Sequence, residues 1–386
     1  MYLKSILMTP KNILISFISF TYYFYTFSVL KTLLKRKYLF VKYIILFVFV
    51  FIAISTNAQI GGKHTYSFLN VNSSARIASL GGNNISIYDN DLNFAAQNPS
   101  LLSDSMHNHF AINYLDYFTD INLGSIAYAR KIKNCGSFSL GLTYMNYGEF
   151  IEADETGKIL GDFTAKDYVF NIIWAKKIDS LFSVGAELKP ILSNYESYSS
   201  FGMAVDLGAT YFNPKNNLSV GLVLNNIGVQ LKPYTSGNKE SLPFEIQAGI
   251  SKKLKHAPFR VSLTFHNLET YDLTYVNTNE EDEYTTLSGD TISENKFSNF
   301  ADDLMRHAIV GIEFLPTKNF YIQLAYNYQH RQEMKLSSRS FIVGMTWGFG
   351  IKVSKFRFSY SKVYHHLAGA PNYFSITTNL SDFYNK

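Results

Sequence analysis

Cysteine is almost missing from this chain: Cys135 stands alone, so no internal disulfide framework can brace the fold. Tryptophan is scarce, with 2 residues against 28 tyrosines and 32 phenylalanines. That aromatic supply suits strands better than helices. Acidic residues are absent from positions 1–58, which carry Lys4, Lys11, Lys31, Lys35, Arg36, Lys37 and Lys42. Those seven lysines and arginines account for the apparent basicity of the whole chain. Residues 59–386 keep 28 basic against 30 acidic side chains, a net charge of −2. No nucleic-acid partner can be argued from that balance. Motifs of catalysis are missing too. There is no Gly-x-Ser-x-Gly elbow, no phosphate-cradling glycine loop and no Cys–His nucleophile pairing. The chain is read as no enzyme, with no catalytic residue, no metal and no cofactor.

What is present begins with a targeting signal. Residues 31–42 form a basic region and 43–54 (YIILFVFVFIAI) an apolar one. Ser55-Thr56-Asn57-Ala58 before Gln59 has the small residues of a cleavage site. Residues 1–58 are therefore read as a signal peptide. The further apolar stretch at 13–30 is read as an over-extended start, and no Met lies between Met8 and Met106. The apolar run at 43–54 is short for a transmembrane helix.

From His107 onward the apolar residues recur with period two. In 138–144 (FSLGLTY) the large side chains share one face, and 218–224 and 355–361 repeat the pattern. Alternation alone fits both a membrane barrel and a soluble sandwich. The connections separate them. Fourteen strands are expected near 107–117, 121–131, 134–148, 164–176, 180–193, 198–212, 217–227, 242–253, 258–270, 304–316, 319–329, 338–349, 351–364 and 371–381. The connections between them alternate short with long, apart from a short first hairpin at 118–120. Short turns at one end and long loops at the other is the pattern of an outer-membrane barrel, with the short side periplasmic. Tyrosines such as Tyr114, Tyr144 and Tyr364 fall toward segment ends, as an interfacial girdle requires. The expected fold is all-β, a 14-stranded antiparallel barrel over 107–386 at the cell outer membrane. A secreted β-sandwich is the alternative.

A lumen of fourteen strands is too wide for barrel side chains alone to fill. Residues 59–106 are assigned to fill it, as a short helical plug. Ala75 to Leu80 reads as a helix stopped by Gly81-Gly82. Asp89 and Asp91 are read as caps of a second helical piece, which halts before Asn98-Pro99. A calcium loop starting at Asp89 fails, because Phe94 stands where Gly is needed and Ser100 where Glu is needed. His107 and His109 share a strand face but lack a third ligand. Glu187 and Lys189 are expected to pair in the lumen. Pro190 interrupts a strand and is either a plain kink or a lateral opening for a hydrophobic ligand. The long connection at 271–303 includes Tyr271 and the acidic run Glu280, Glu281, Asp282 and Glu283. It is either a solvated loop or a docking surface. Lys232, Tyr234 and Lys239 in the connection at 228–241 form a second docking candidate.

Several of these stretches carry a family resemblance. They are 59–69 (QIGGKHTYSFL), 75–89 (ARIASLGGNNISIYD), 98–102 (NPSLL), 153–157 (ADETG) and 252–260 (KKLKHAPFR). Together they resemble the PorQ family of the type IX secretion system, within the FadL-like and PorV-like barrels. The resemblance runs across 59–386. It implies a FadL-like barrel with an N-terminal plug and a non-enzymatic role. That role is to hold a surface-exposed PorZ-like partner in an attachment complex with PorU and PorV, which fixes secreted cargo to surface lipopolysaccharide. A FadL-like transporter of hydrophobic compounds is the alternative role.

Overall fold

The structure is a computed structural model that describes residues 64–237, 239–273, 296–334, 342–364 and 369–384. Residues 1–58, expected to be a signal peptide, lie outside the described residues. The strands are β1 (His109–Asp116), β2 (Asn122–Ile132), β3 (Gly136–Ala153), β4 (Ile159–Lys177), β5 (Phe182–Tyr195), β6 (Tyr198–Asn213) and β7 (Leu218–Lys232). They continue as β8 (Glu245–Lys253), β9 (Phe259–Phe265), β10 (Ala308–Phe314), β11 (Phe320–Asn327), β12 (Met345–Val353), β13 (Phe356–Val363) and β14 (Asn372–Asn379). Each pairs antiparallel with its neighbour in sequence, and β1 closes on β14 from His109↔Asn379 to Asp116↔Asn372. One closed ring replaces the two packed sheets of the sandwich alternative. Closure gives every strand two partners, so no edge is left unpaired.

The outward faces are apolar around the whole circumference. Ile112, Ile126, Leu140, Phe170, Ile322 and Phe374 all stand outside with 40% or more of their surface exposed. Every other strand contributes a large apolar side chain of the same kind. Such a belt would associate in water and is stable only against lipid. Among the described residues no helix is long and apolar enough to cross a membrane. The crossing is made by strands.

Some elements differ from the sequence reading. The segment at 149–163, expected as a loop, continues the β3–β4 ladder through Phe150↔Phe163 and Ile151↔Asp162. Helix Lys296–Arg306 precedes β10, and helix Tyr328–Met334 follows β11, where strand ends were expected.

Candidate functional site

Residues 64–106 thread the inside of the ring. The helix Ala75–Ala78 ends in a Schellman motif. Gly82 N–H donates to Ile77 O at 3.2 Å and Gly81 N–H to Ala78 O at 3.1 Å, with Gly81 at φ 92°. Leu80 joins Ile77, Ile87, Phe94 and Leu101 in a buried apolar cluster. Each such side chain contributes about 1.5–3 kcal/mol over its exposed state. Asp91 caps the short helix Leu92–Ala96 by accepting from Asn93 N–H at 3.1 Å.

Wall contacts fix the segment on every side. Ala75 N–H donates to Ser375 Oγ of β14 at 2.9 Å. Thr346 of β12 donates to Ser79 O, and Ser251 of β8 to Ser86 O. Asn98 donates to Ile85 O at 2.8 Å and to Thr210 Oγ1 of β6 at 3.0 Å, while Ser100 N–H donates to Asn98 Oδ1. Inward glycines make room at this point. A Cβ on Gly185 of β5 would sit 2.4 Å from Pro99 C, and one on Gly208 of β6 would sit 2.2 Å from Asn98 Oδ1. Gly185 and Gly208 lie directly opposite each other across β5 and β6.

Arg76 is the electrostatic centre. Its guanidinium reaches Asp89 at 2.6 Å, Asp91 at 3.0 Å and Glu313 of β10 at 3.1 Å. Arg260 of β9 bridges Asp89 at 3.1 Å and Glu313 at 2.7 Å. The rings of Phe94 and Tyr321 each lie 4.9 Å from the Arg76 guanidinium. Burial alone would raise the Asp89 carboxyl. Arg76 and Arg260 outweigh it and hold the group at about 2. The acids read from sequence as caps thus have a second role, which is to lock the segment to the wall. Nothing local in the sequence places Glu313 or Arg260 beside them. The available signal was an arginine set among Ala and Ile in the helix.

Three of the cavities among the described residues border the segment. The first, about 100 Å³, lies against β1–β5 and is lined on its apolar side by Phe68, Leu69, Leu92, Ala127, Val169 and Ile173. Asn171 and Lys189 also border it. Here the β4–β5 ladder is interrupted. Val169 pairs with Ile191 and Ile172 with Leu188, but 170–171 and 189–190 are unpaired. Pro190, which has no N–H to give, stands in that gap. Lys189 pairs with Asp206 of β6, not with Glu187 as the sequence led us to expect. Glu187 accepts from Asn171 at 2.6 Å instead. The second cavity, about 560 Å³, opens at the short-turn mouth beside Arg76 and Arg260. The third, about 270 Å³, lies at the long-loop end near Asn72, Glu245, His266 and Gln329.

The docking candidates are scattered. Tyr271 is 72% exposed at the long-loop end. Lys232 ends β7 and donates to Ser199 Oγ at 2.6 Å, and Lys239 is exposed. Tyr234 turns inward. Its ring stacks on Tyr195 at 5.2 Å and its hydroxyl donates to Ser193 Oγ at 2.5 Å. Tyr147 and Tyr195 both donate to the buried Asp167, at 2.6 Å and 3.0 Å, so these tyrosines roof the lumen. Glu280, Glu281, Asp282 and Glu283 lie outside the described residues.

No family model and no curated protein matches this chain. Among solved structures, the Pseudomonas putida toluene transporter TodX is similar with a TM-score of 0.50 and 11% identity, covering 81% of this chain and 99% of that one. The Ralstonia pickettii toluene transporter TbuX follows at 0.49 and 10%, covering 81% and 99%. A Pseudomonas aeruginosa FadL homologue follows at 0.44 and 11%, covering 83% and 100%. At such identities the likeness to TodX concerns the fold alone. The fold of this chain is a closed barrel of fourteen antiparallel strands.

Proposed function

We propose that this chain is an outer-membrane barrel that admits small hydrophobic compounds and has no enzymatic role. The observation that carries this reading is the partly apolar cavity set directly behind the stretch of β4–β5 at Pro190 where the two strands do not pair. Lipid-facing Phe170 lies in this gap and lumen-facing Val169 borders it. An apolar cavity of about 150 Å³ suffices for benzene and this one is about 100 Å³, so the ligand class is a short alkyl chain, or a single aromatic ring admitted as the lining side chains yield. The similar fold of the toluene transporter TodX supports that class. Val169→Trp fills the cavity from the wall. It should cut uptake of a toluene-sized aromatic about tenfold in cells that depend on this barrel, the factor given by ~1.4 kcal/mol of lost binding. An unchanged uptake rate, with the variant correctly inserted, would overturn the reading.

A second reading rests on the long arm of β3 and β4. Their neighbours stop at Asn122↔Asn146 and Tyr195↔Ala165. Roughly seven residues of β3 and their β4 partners therefore stand free beyond the lip, about 20 Å at ~3.3 Å per residue. Ile151 (68% exposed), Ile159 (65%) and Leu160 (59%) lie bare on this arm. Glu149, Glu152, Asp154, Glu155 and Asp162 surround them, against Lys158 alone. In this reading the arm, which stands at the same end of the barrel as Tyr271 and Lys239, docks a surface protein. The family resemblance names that partner as the PorZ-like component of the type IX attachment complex, with PorU and PorV. Deleting 150–163 removes no lip pairing. It should release the surface partner from cells while heat-modifiable migration of the barrel stays as in wild type. A partner retained in full would rule the arm out as its anchor.

A further inference from the structure

The short-turn mouth carries a concentration of positive charge that the two readings above do not use. On the inward faces, Lys253 of β8 lies directly opposite Arg260 of β9, and Lys352 of β12 directly opposite Arg357 of β13. Like charges opposed across a ladder are destabilising, and here two such pairs line one cavity of about 560 Å³. Lys318 and Lys355 complete its rim.

Of these groups, the carboxylates at this mouth neutralise Arg260 alone. Asp89 and Asp91 are engaged by Arg76, and Asp89 with Glu313 also engages Arg260. Asp382 is the remaining acidic residue lining the cavity. Among the described residues, no carboxylate lies within 4.0 Å of Lys253, Lys318, Lys352, Lys355 or Arg357. Arg357 is also held in place. It donates to Lys318 O at 3.1 Å, and its guanidinium lies 5.6 Å from the Tyr321 ring. The Lys355 ammonium sits 4.4 Å from the Phe383 ring. A positioned guanidinium fork among ammonium groups is a donor set that takes multiply charged oxyanions.

We infer that this mouth binds a phosphate-bearing anion carrying several negative charges, with Lys352 and Arg357 as its principal contacts. The phosphates could be those of anionic lipid headgroups in the facing leaflet or of a soluble polyphosphate. Their chemistry at the site is the same. The inference does not depend on the hydrophobic cavity or on the arm.

The test uses the purified barrel in neutral detergent with inorganic triphosphate as probe. Wild type should bind it, with affinity that falls as salt rises. Lys352→Gln and Arg357→Gln should each weaken binding about tenfold, while Lys158→Gln on the distant arm leaves it unchanged. Thermal stability gives an independent readout. Removing one charge of an opposed pair should raise the midpoint without probe and reduce the rise that the probe produces. Absence of triphosphate binding, or binding indifferent to both mouth substitutions, would overturn the inference. Nanodiscs of phosphatidylglycerol and of phosphatidylcholine separate the sources. Protection of the mouth by phosphatidylglycerol alone, lost in Lys352→Gln, assigns the phosphates to lipid. Triphosphate binding that is equal in both nanodiscs assigns them to a soluble ligand.

Discussion

Arg76→Gln should free the lumenal segment from the wall while the barrel remains assembled. The substitution leaves Asp89, Asp91 and Glu313 with Arg260 as their one remaining cation among the described residues. Breaking a buried ion network by removing one member costs about 3–5 kcal/mol, because the charges left behind are uncompensated. The loss falls on the joint between segment and wall, since Glu313 belongs to β10 and the other two acids to the segment. Planar-bilayer recording should therefore show larger and more variable conductance, and protease should reach residues near 64–106. Arg76→Lys should fall between, because an ammonium cannot make the forked contacts to three carboxylates. Conductance identical to wild type in Arg76→Gln would refute this role. The same network fixes a pH dependence. The Asp89 carboxyl sits at about 2 in the folded state, below the ordinary value of about 3.9 for an unfolded aspartate. The folded state thus binds the proton less well. The stabilisation is present above pH ~4 and is lost as pH falls through ~2. Wild type should become leakier across that window, and Arg76→Gln should start leaky and change less.

Gly185→Val should act at the opposite side of the same segment. Its Cβ would meet Pro99 C at 2.4 Å, Pro99 O at 2.6 Å and Ser100 N at 2.6 Å. All three are backbone atoms, so no rotamer change relieves the clash. Overpacking costs about 1–3 kcal/mol where neighbours can shift, and here the neighbour is pinned. Asn98 is tied to Ile85 and Thr210, and Ser183 donates to Ser100 O at 2.8 Å. The segment must therefore lift at Asn98–Leu101, breaking those bonds together. A fall in the unfolding midpoint, with smaller effect for Gly185→Ala, is the expected outcome. Gly161→Ala on the arm is the control, as the nearest atom to its Cβ would be 3.8 Å away. A midpoint for Gly185→Val equal to that of the control would sink the argument.

How much of this the sequence disclosed depends on the range of each interaction. Strand count and hairpin alternation were legible because a half-exposed strand writes its periodicity locally, as β5 does from Ser183 to Ser193. The arm was not legible. Phe150, Ile151, Glu152 and Ala153 carry no clean alternation, because a ribbon beyond the lip buries neither face. The helices Lys296–Arg306 and Tyr328–Met334 were hidden by the expectation that each strand runs to its loop. The partner of Lys189 was missed because register across β5–β6 decides it, and Asp206 has no mark of its own. Asp89 was read as a cap because capping is local, whereas Arg260 and Glu313 come from strands far along the chain.

The pairing of β1 with β14 has a kinetic side. The two strands that close the ring are the first and the last in sequence, so closure must await completion of all fourteen strands. Contacts of such sequence separation form slowly, since loop-closure entropy precedes any reward. The segment that precedes β1 already bonds to β6, β8, β12 and β14 from within. A finished ring offers it no side entrance of comparable size. It must be laid down while the sheet is still open, as a template around which the strands curl. Variants that weaken it, Arg76→Gln among them, should then slow assembly as well as loosen the product.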